Sequence, residues 1–296
     1  REHVALLTMH HIISDGWSIS VLVGELTALY KAEITGELPA LPDLSVQYTD
    51  FARWQRRRLN GKQLEEMLDY WERQLAGAPP ALRLVSEAER GKDRLKRAAQ
   101  VVRLIPADLA ERLNVLASQE NVTLFMTLVS AFQLLLHYHS GQTDIVVGTD
   151  IANRNLVETE SLIGLFINQL ALRADLSGDP TWRELLAQLR QVTLDAYANQ
   201  EVPFDKLVER LKPPRVEGRT PIFQAKIVLQ NAPSSALDLP GLKLEIMGAD
   251  TGATKFDLLL NVTAMTRGLL AQMAFNSTLY SGSWATRFVE QLEMIL

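Results

Sequence analysis

At 296 residues the chain is long enough for two packed units, each with its own core. A net charge of −5, with Arg56-Arg57-Arg58 as the one dense basic run, argues against a nucleic-acid partner. The absence of cysteine excludes a disulfide framework, a thiolate nucleophile and a thiolate metal site, and is compatible with a cytoplasmic setting.

No apolar run reaches the roughly 18 residues of a membrane span, and no signal-peptide pattern opens the chain. The first residue is Arg1, directly before an apolar run, and the last, Leu296, lies inside a helical pattern. The stretch is therefore expected to be a piece of a longer polypeptide.

Val4-Ala5-Leu6-Leu7 reads as a short buried strand. Ile19, Leu22, Val23, Leu26 and Tyr30 then form the stripe of an amphipathic helix. Gly36 to Pro42 is a loop, Val46 to Leu59 a second helix and Leu64 to Leu75 a third, stopped by Gly77-Ala78-Pro79-Pro80. Ser86 to Arg97 is charged and aperiodic, the expected linker (86–98) between lobes at 1–85 and 99–296.

Beyond the linker, Val101 to Ile105 is a strand and Pro106 to Ala117 a helix. Thr123 to Tyr138, apolar nearly all round, predicts a central buried helix. His137 and His139 at its end are spaced i, i+2 and do not face each other, so no metal site is expected there. Ile145 to Gly148 is a strand running into a polar loop, Thr149 to Asn155, and a further strand ends at Leu172. Asp179-Pro180-Thr181-Trp182-Arg183-Glu184 is a helix start with proline in the first turn and a capping box. Pro203 to Leu211 is a shorter helix.

From Ile222 the period changes to two. Phe223, Ala225, Ile227 and Leu229 alternate with polar residues, as do Leu242, Leu244 and Ile246. Phe256 to Val262 and Leu269 to Phe275 predict a hairpin turning at Thr266-Arg267-Gly268. Helices and strands mix without strict alternation, so the expected class is mixed α/β, layered as in α+β folds.

Chemistry concentrates at Thr8-Met9-His10-His11-Ile12-Ile13-Ser14-Asp15-Gly16-Trp17-Ser18, on a strand-to-helix crossing. Successive strand residues point to opposite faces, so if the strand runs through both histidines only one can look into a cavity. Gly16 lets the chain turn where a side chain would obstruct it, and the helix after it begins with unpaired N–H groups. A lone histidine at a strand end is more often structural than catalytic, and Asp-Gly before a helix is usually a turn and cap. Four such groups within seven residues favour chemistry without naming the reaction.

Five stretches together resemble the condensation domain of nonribosomal peptide synthetases. His10-His11-Ile12-Ile13-Ser14-Asp15-Gly16 fits the family's HHxxxDG motif, and Tyr48-Thr49-Asp50-Phe51-Ala52-Arg53-Trp54 is similar to YxDFAxW. Ile163-Gly164-Leu165-Phe166-Ile167-Asn168-Gln169-Leu170-Ala171-Leu172-Arg173 resembles IGxFxNxLxLR. Asn199 to Val208 resembles HQxVPFxxLV with asparagine where histidine is usual, and Arg219 to Gln224 resembles a segment commonly ending in PLFQ. The family's domain is longer at the front, so the resemblance implies a chloramphenicol-acetyltransferase-like, two-lobed fold with the first lobe incomplete and a tunnel between the lobes.

The resemblance further implies amide formation between an acyl or peptidyl thioester and an aminoacyl thioester. Both would ride on 4′-phosphopantetheine arms of upstream and downstream peptidyl carrier domains, beside an adenylation domain. No directly bound cofactor, metal, nucleic acid or membrane is expected. His11 is the family's reactive position, with His10 beside it, and the Gly16 N–H is a candidate oxyanion donor. Asp15 is expected to be structural, pairing with Arg154. Trp17, Ser18 and Asn168 are candidates to line the tunnel, although a strand-start asparagine is equally ordinary at 168.

Three rivals stand beside this resemblance. A coenzyme A-dependent acyltransferase of the same superfamily shares HxxxDG; the doubled histidine and Val202-Pro203-Phe204 weigh against it. An epimerisation relative keeps HHxxxDG but needs a different second lobe, and a degenerate domain would only recruit a partner.

Overall fold

The computed structural model describes residues 3–84, 97–214, 216, 218–230, 239–242 and 252–296. In chain order they form a 3₁₀ turn (His11–Ile13), α1 (Gly16–Thr35), α2 (Tyr48–Arg58), α3 (Gly61–Leu75), β1 (Ala98–Pro106), α4 (Ala107–Gln119) and α5 (Leu124–Ser140). β2 (Asp144–Ile151), a 3₁₀ turn (Val157–Thr159), β3 (Asn168–Asp175), α6 (Trp182–Ala198) and α7 (Phe204–Leu211) follow. β4 (Ala225–Gln230), β5 (Leu258–Met265), β6 (Gly268–Asn276) and α8 (Gly282–Ile295) complete the series. The residues group into two units, one of Arg1–Leu64, Ile151–Asn168 and Ala232–Ala249, the other of Glu65–Asp150, Gln169–Asn231 and Asp250–Leu296. Of the expected linker, residues 86–96 lie outside the described residues, and so do Leu244 and Ile246 of the expected strand.

The second unit is built on one six-stranded sheet, ordered β1-β6-β5-β4-β2-β3. β1 and β5 flank β6 antiparallel, whereas β4 runs parallel to both β5 and β2. The hairpin expected from the period-two pattern forms, with Met265 opposite Gly268 across Thr266-Arg267. Gly268 sits at φ +131°, and a Cβ there would lie 2.0 Å from the Ile105 carbonyl, so only glycine lets β6 start against β1.

Helix α5 is the centre of this unit. Val129, Ala131, Phe132, Gln133 and Leu136 have no exposed surface. Gln133 is tolerated there because its amide donates to the carbonyls of Ile145 (3.3 Å) and Leu172 (2.9 Å). His137 and His139 are held by the Gln142 carbonyl and the Gln291 side chain, each at 2.7 Å. The Thr181/Glu184 capping box of α6 is present; Pro180 precedes the cap instead of occupying the first turn. β2 runs on through Ile151, so the polar loop starts later than its composition suggests.

The first unit departs more from the sequence reading. Val4, Leu6 and Leu7 form no strand and are 80%, 81% and 62% exposed. A strand needs a neighbour to complete its ladder, and no strand pairs with this segment among the described residues. In α1 the expected stripe is only partly covered: Ile19 and Leu26 are exposed, and the buried residues are the polar Ser18 and Thr27. The apolar cluster of this unit lies instead around Phe51, Leu162 and Phe166, with Tyr48 and Trp54 against it. No single helix among the described residues is long and apolar enough to cross a membrane.

Candidate active site

The strand expected at Val4 to Leu7 does not form, so none runs on through the histidines; they stand at a 3₁₀ turn, with His10 as its cap. The preceding chain has no ladder to continue, and closing a tight turn supplies local partners instead. Alternation across a pleat therefore does not separate the two rings; their hydrogen bonds do. His10 Nδ1 accepts from the Ile12 N–H at 3.1 Å. His11 Nδ1 lies 2.7 Å from the Ser14 carbonyl. A carbonyl oxygen only accepts, so Nδ1 carries the proton and the neutral ring keeps its lone pair on Nε2. The His11 side chain is exposed, whereas Ser14 and Asp15 beneath it are 5% and 4% exposed.

Asp15 caps α1, and both of its carboxylate oxygens are engaged. Oδ1 accepts from the Ser18 N–H (2.8 Å), the Ser18 hydroxyl (2.7 Å) and Arg154 Nη2 (3.1 Å). Oδ2 accepts from the Phe166 and Ile167 N–H groups at 2.9 and 3.3 Å. Burial alone would raise this carboxyl; hydrogen bonds from Ser18 and Phe166, with the Arg154 charge, outweigh it and hold the group below its ordinary value. Asp15 is thus an anion facing inward, with its carboxylate oxygens taken up by Ser18, Arg154, Phe166 and Ile167.

Arg154 meets Asp15 with only 1% of its side chain exposed. Burial pulls its guanidinium below the ordinary value and Asp15 opposes that shift. Nη1 donates to the carbonyls of Thr159 and Leu162, the latter at 2.9 Å, and the guanidinium lies 4.0 Å from the Phe166 ring centroid. These contacts draw 154–167 against the first turn of α1.

Gly16 differs from its expected steric role. A Cβ there would meet nothing within 4 Å, and its φ is not in the left-handed region. Its N–H, in the first turn of α1, has no partner among the described residues, the ordinary state of a helix start. Trp17 donates its indole N–H to the Glu160 carbonyl at 2.9 Å, and Ser18 has no exposed surface. Asn168 is 9% exposed at the start of β3.

Two participants were visible in the sequence only as letters of a motif. Tyr48 donates to the Leu165 carbonyl at 2.8 Å; burial and the Asp15 charge raise its hydroxyl, which stays protonated. A Cβ on Gly164 would lie 2.1 Å from the Tyr48 ring, so the tyrosine in this position requires glycine at 164. No pattern in composition or period signals such a pair, because the residues are far apart in the chain.

A family model for the condensation domain matches residues 1–296. The chain belongs to the condensation-domain family. That family works in nonribosomal peptide synthesis, where condensation is amide-bond formation. A linear gramicidin synthase of Brevibacillus parabrevis is 45% identical over 282 residues, covering 95% of this chain and 4% of that protein. Phosphinothricin tripeptide synthetase PhsB of Streptomyces viridochromogenes is 40% identical over 294 residues, covering 98% and 25%. The chain thus spans a quarter or less of these relatives.

Among solved structures, the X-domain from teicoplanin biosynthesis superposes with a TM-score of 0.85 at 26% identity, covering 97% of this chain and 67% of that one. The first condensation domain of the CDA synthetase gives 0.76 at 20% identity, covering 97% and 63%, a likeness of fold alone. The mixed α and β architecture is accordingly that of chloramphenicol-acetyltransferase-like condensation domains.

Proposed function

We propose that this condensation domain joins an acyl or peptidyl group to the amine of an aminoacyl group, both held as thioesters on phosphopantetheinyl carrier domains. The observation that carries this reading is the exposed His11 ring with Nδ1 tied to the Ser14 carbonyl at 2.7 Å, which leaves Nε2 as the acceptor. The acceptor amine's lone pair attacks the thioester carbon, the C–N bond forms, and charge moves onto the carbonyl oxygen. Nε2 of His11 accepts or orients the amine proton. The C–S bond then breaks, and the departing thiolate takes up that proton. The Gly16 N–H supplies a donor for the oxyanion.

A free α-amine has a pKa near 8 and a thioester is already activated, so much of the acceleration comes from holding the two groups in attack geometry. Asp15 and Arg154 touch neither reactant; they hold the turn on which His11 stands. Trp17 and Asn168 remain candidates to contact the arms, and the lobes at 1–85 and 99–296 belong to the same reading. Upstream and downstream carriers and an adenylation domain are the implied partners.

The test is single-turnover transfer between a loaded donor carrier and a loaded acceptor carrier, with product followed by mass spectrometry. His11→Ala is expected to slow transfer by about 10²-fold or more. An unchanged rate would remove His11 from the chemistry. Transfer to coenzyme A in place of a carrier-bound amine would favour the acyltransferase alternative.

A further inference from the structure

The Ser18 hydroxyl has four neighbours within hydrogen-bond reach. Asp15 Oδ1 lies at 2.7 Å, the Gly164 carbonyl at 2.8 Å, Arg154 Nη2 at 3.0 Å and the Gly164 N–H at 3.1 Å. A hydroxyl has one hydrogen and two lone pairs. Arg154 and the Gly164 N–H fill both lone pairs, and the single hydrogen serves either Asp15 or the Gly164 carbonyl. With no exposed surface at Ser18, water cannot replace any of these partners. One side chain therefore joins the first turn of α1, the Asp15–Arg154 pair and the 163–167 segment.

We infer that Ser18 is a positioning residue for His11, acting through Asp15 and the Ser14 carbonyl. Ser18 fixes Asp15 through both its N–H and its hydroxyl. The orientation of Asp15 sets the peptide that joins it to Ser14. The Ser14 carbonyl on that peptide is the group that holds the proton on Nδ1 of His11. Removing the Ser18 hydroxyl leaves the Gly164 N–H and Arg154 Nη2 without an acceptor there and removes the hydrogen that Asp15 Oδ1 and the Gly164 carbonyl share, so the peptide is free to tilt and the ring to change tautomer. The inference rests on the condensation reading, in which Nε2 must keep the lone pair.

The test labels the five histidines of the full chain with ¹⁵N and reads the tautomer of His11, assigned through His11→Gln, beside the transfer assay. Wild-type His11 is expected in the Nδ1–H form. Ser18→Ala is expected to give a mixture of tautomers and about a tenfold lower kcat, with KM for the aminoacyl carrier within about twofold. The nearly isosteric Ser18→Cys, a weaker hydrogen-bonding group, should fall between the two. A Ser18→Ala chain with the wild-type tautomer overturns the inference, whatever its rate. If Ser18→Ala shows no cooperative thermal transition, Ser18→Cys decides by the same two readouts. A wild-type chain that forms no amide overturns the functional reading instead, and the tautomer comparison still decides the role of Ser18.

Discussion

Helices α5 and α1 are similar in apolar content and are held by opposite means. In α5, ten residues are buried, from Met126 to Leu136, and the helix is fixed by packing along its length. In α1, two of twenty residues are buried, both hydroxylic, and Ile19, Leu26, Leu29 and Ile34 are exposed. What fixes α1 is its first turn, where Asp15 and Ser18 tie it to Arg154, Gly164 and Phe166. Burial distributes stability over many weak contacts. A buried polar network concentrates it in a few groups, each costly to leave unpaired.

This contrast is broken most directly at its polar end. Asp15→Asn keeps the shape but leaves Arg154 as an uncompensated buried cation, an expected loss of about 3–5 kcal/mol in denaturant-monitored stability. Unchanged stability and transfer rate would show that the pair does not hold the turn. On the apolar side, Leu136→Ala, at a position with no exposed surface, should cost about 2–5 kcal/mol in the same measurement.

Gly164→Ala drives a methyl into the Tyr48 ring and should lose about 1–3 kcal/mol. Pairing it with Tyr48→Ala should recover part of that loss, since the two residues occupy one space; additive losses would contradict the contact. By contrast Leu26→Gln, on the exposed face of α1, is expected within about 0.5 kcal/mol of wild type. A large loss there would mean that packing along α1 matters after all.

Acid titration sharpens the comparison further. The Asp15 carboxyl is held below its ordinary value of 3.8, so its contribution is fully present above about that pH. It is lost as pH falls through the lowered value. Stability of the wild type should therefore fall towards that of Asp15→Asn in strong acid, whereas the loss caused by Leu136→Ala should not narrow in this way.

The difference between the two helices also marks what could be read in the sequence. The elements themselves were legible: the capping box at Thr181 and Glu184, the all-round apolar run of α5, and the hairpin at Thr266-Arg267 follow from local chemistry. The HHxxxDG stretch was legible as a site for the same reason, since His11, Asp15 and Gly16 lie within a few residues of one another. Coverage was not legible. Val4 to Leu7 and the stripe of α1 have the period of buried elements, yet the period says which residues share a face and nothing about what lies against it.

The linear sequence by itself therefore determined the local structures, the class of fold and the residue types available for chemistry. Only the tertiary structure decided that Ser18 is a buried junction, that Arg154 closes on Asp15, and that Tyr48 fills the space above Gly164. The physical reason is distance along the chain. Propensity, capping and periodicity act over a few residues, whereas each of the Ser18–Gly164, Asp15–Arg154 and Tyr48–Gly164 contacts joins positions more than a hundred residues apart.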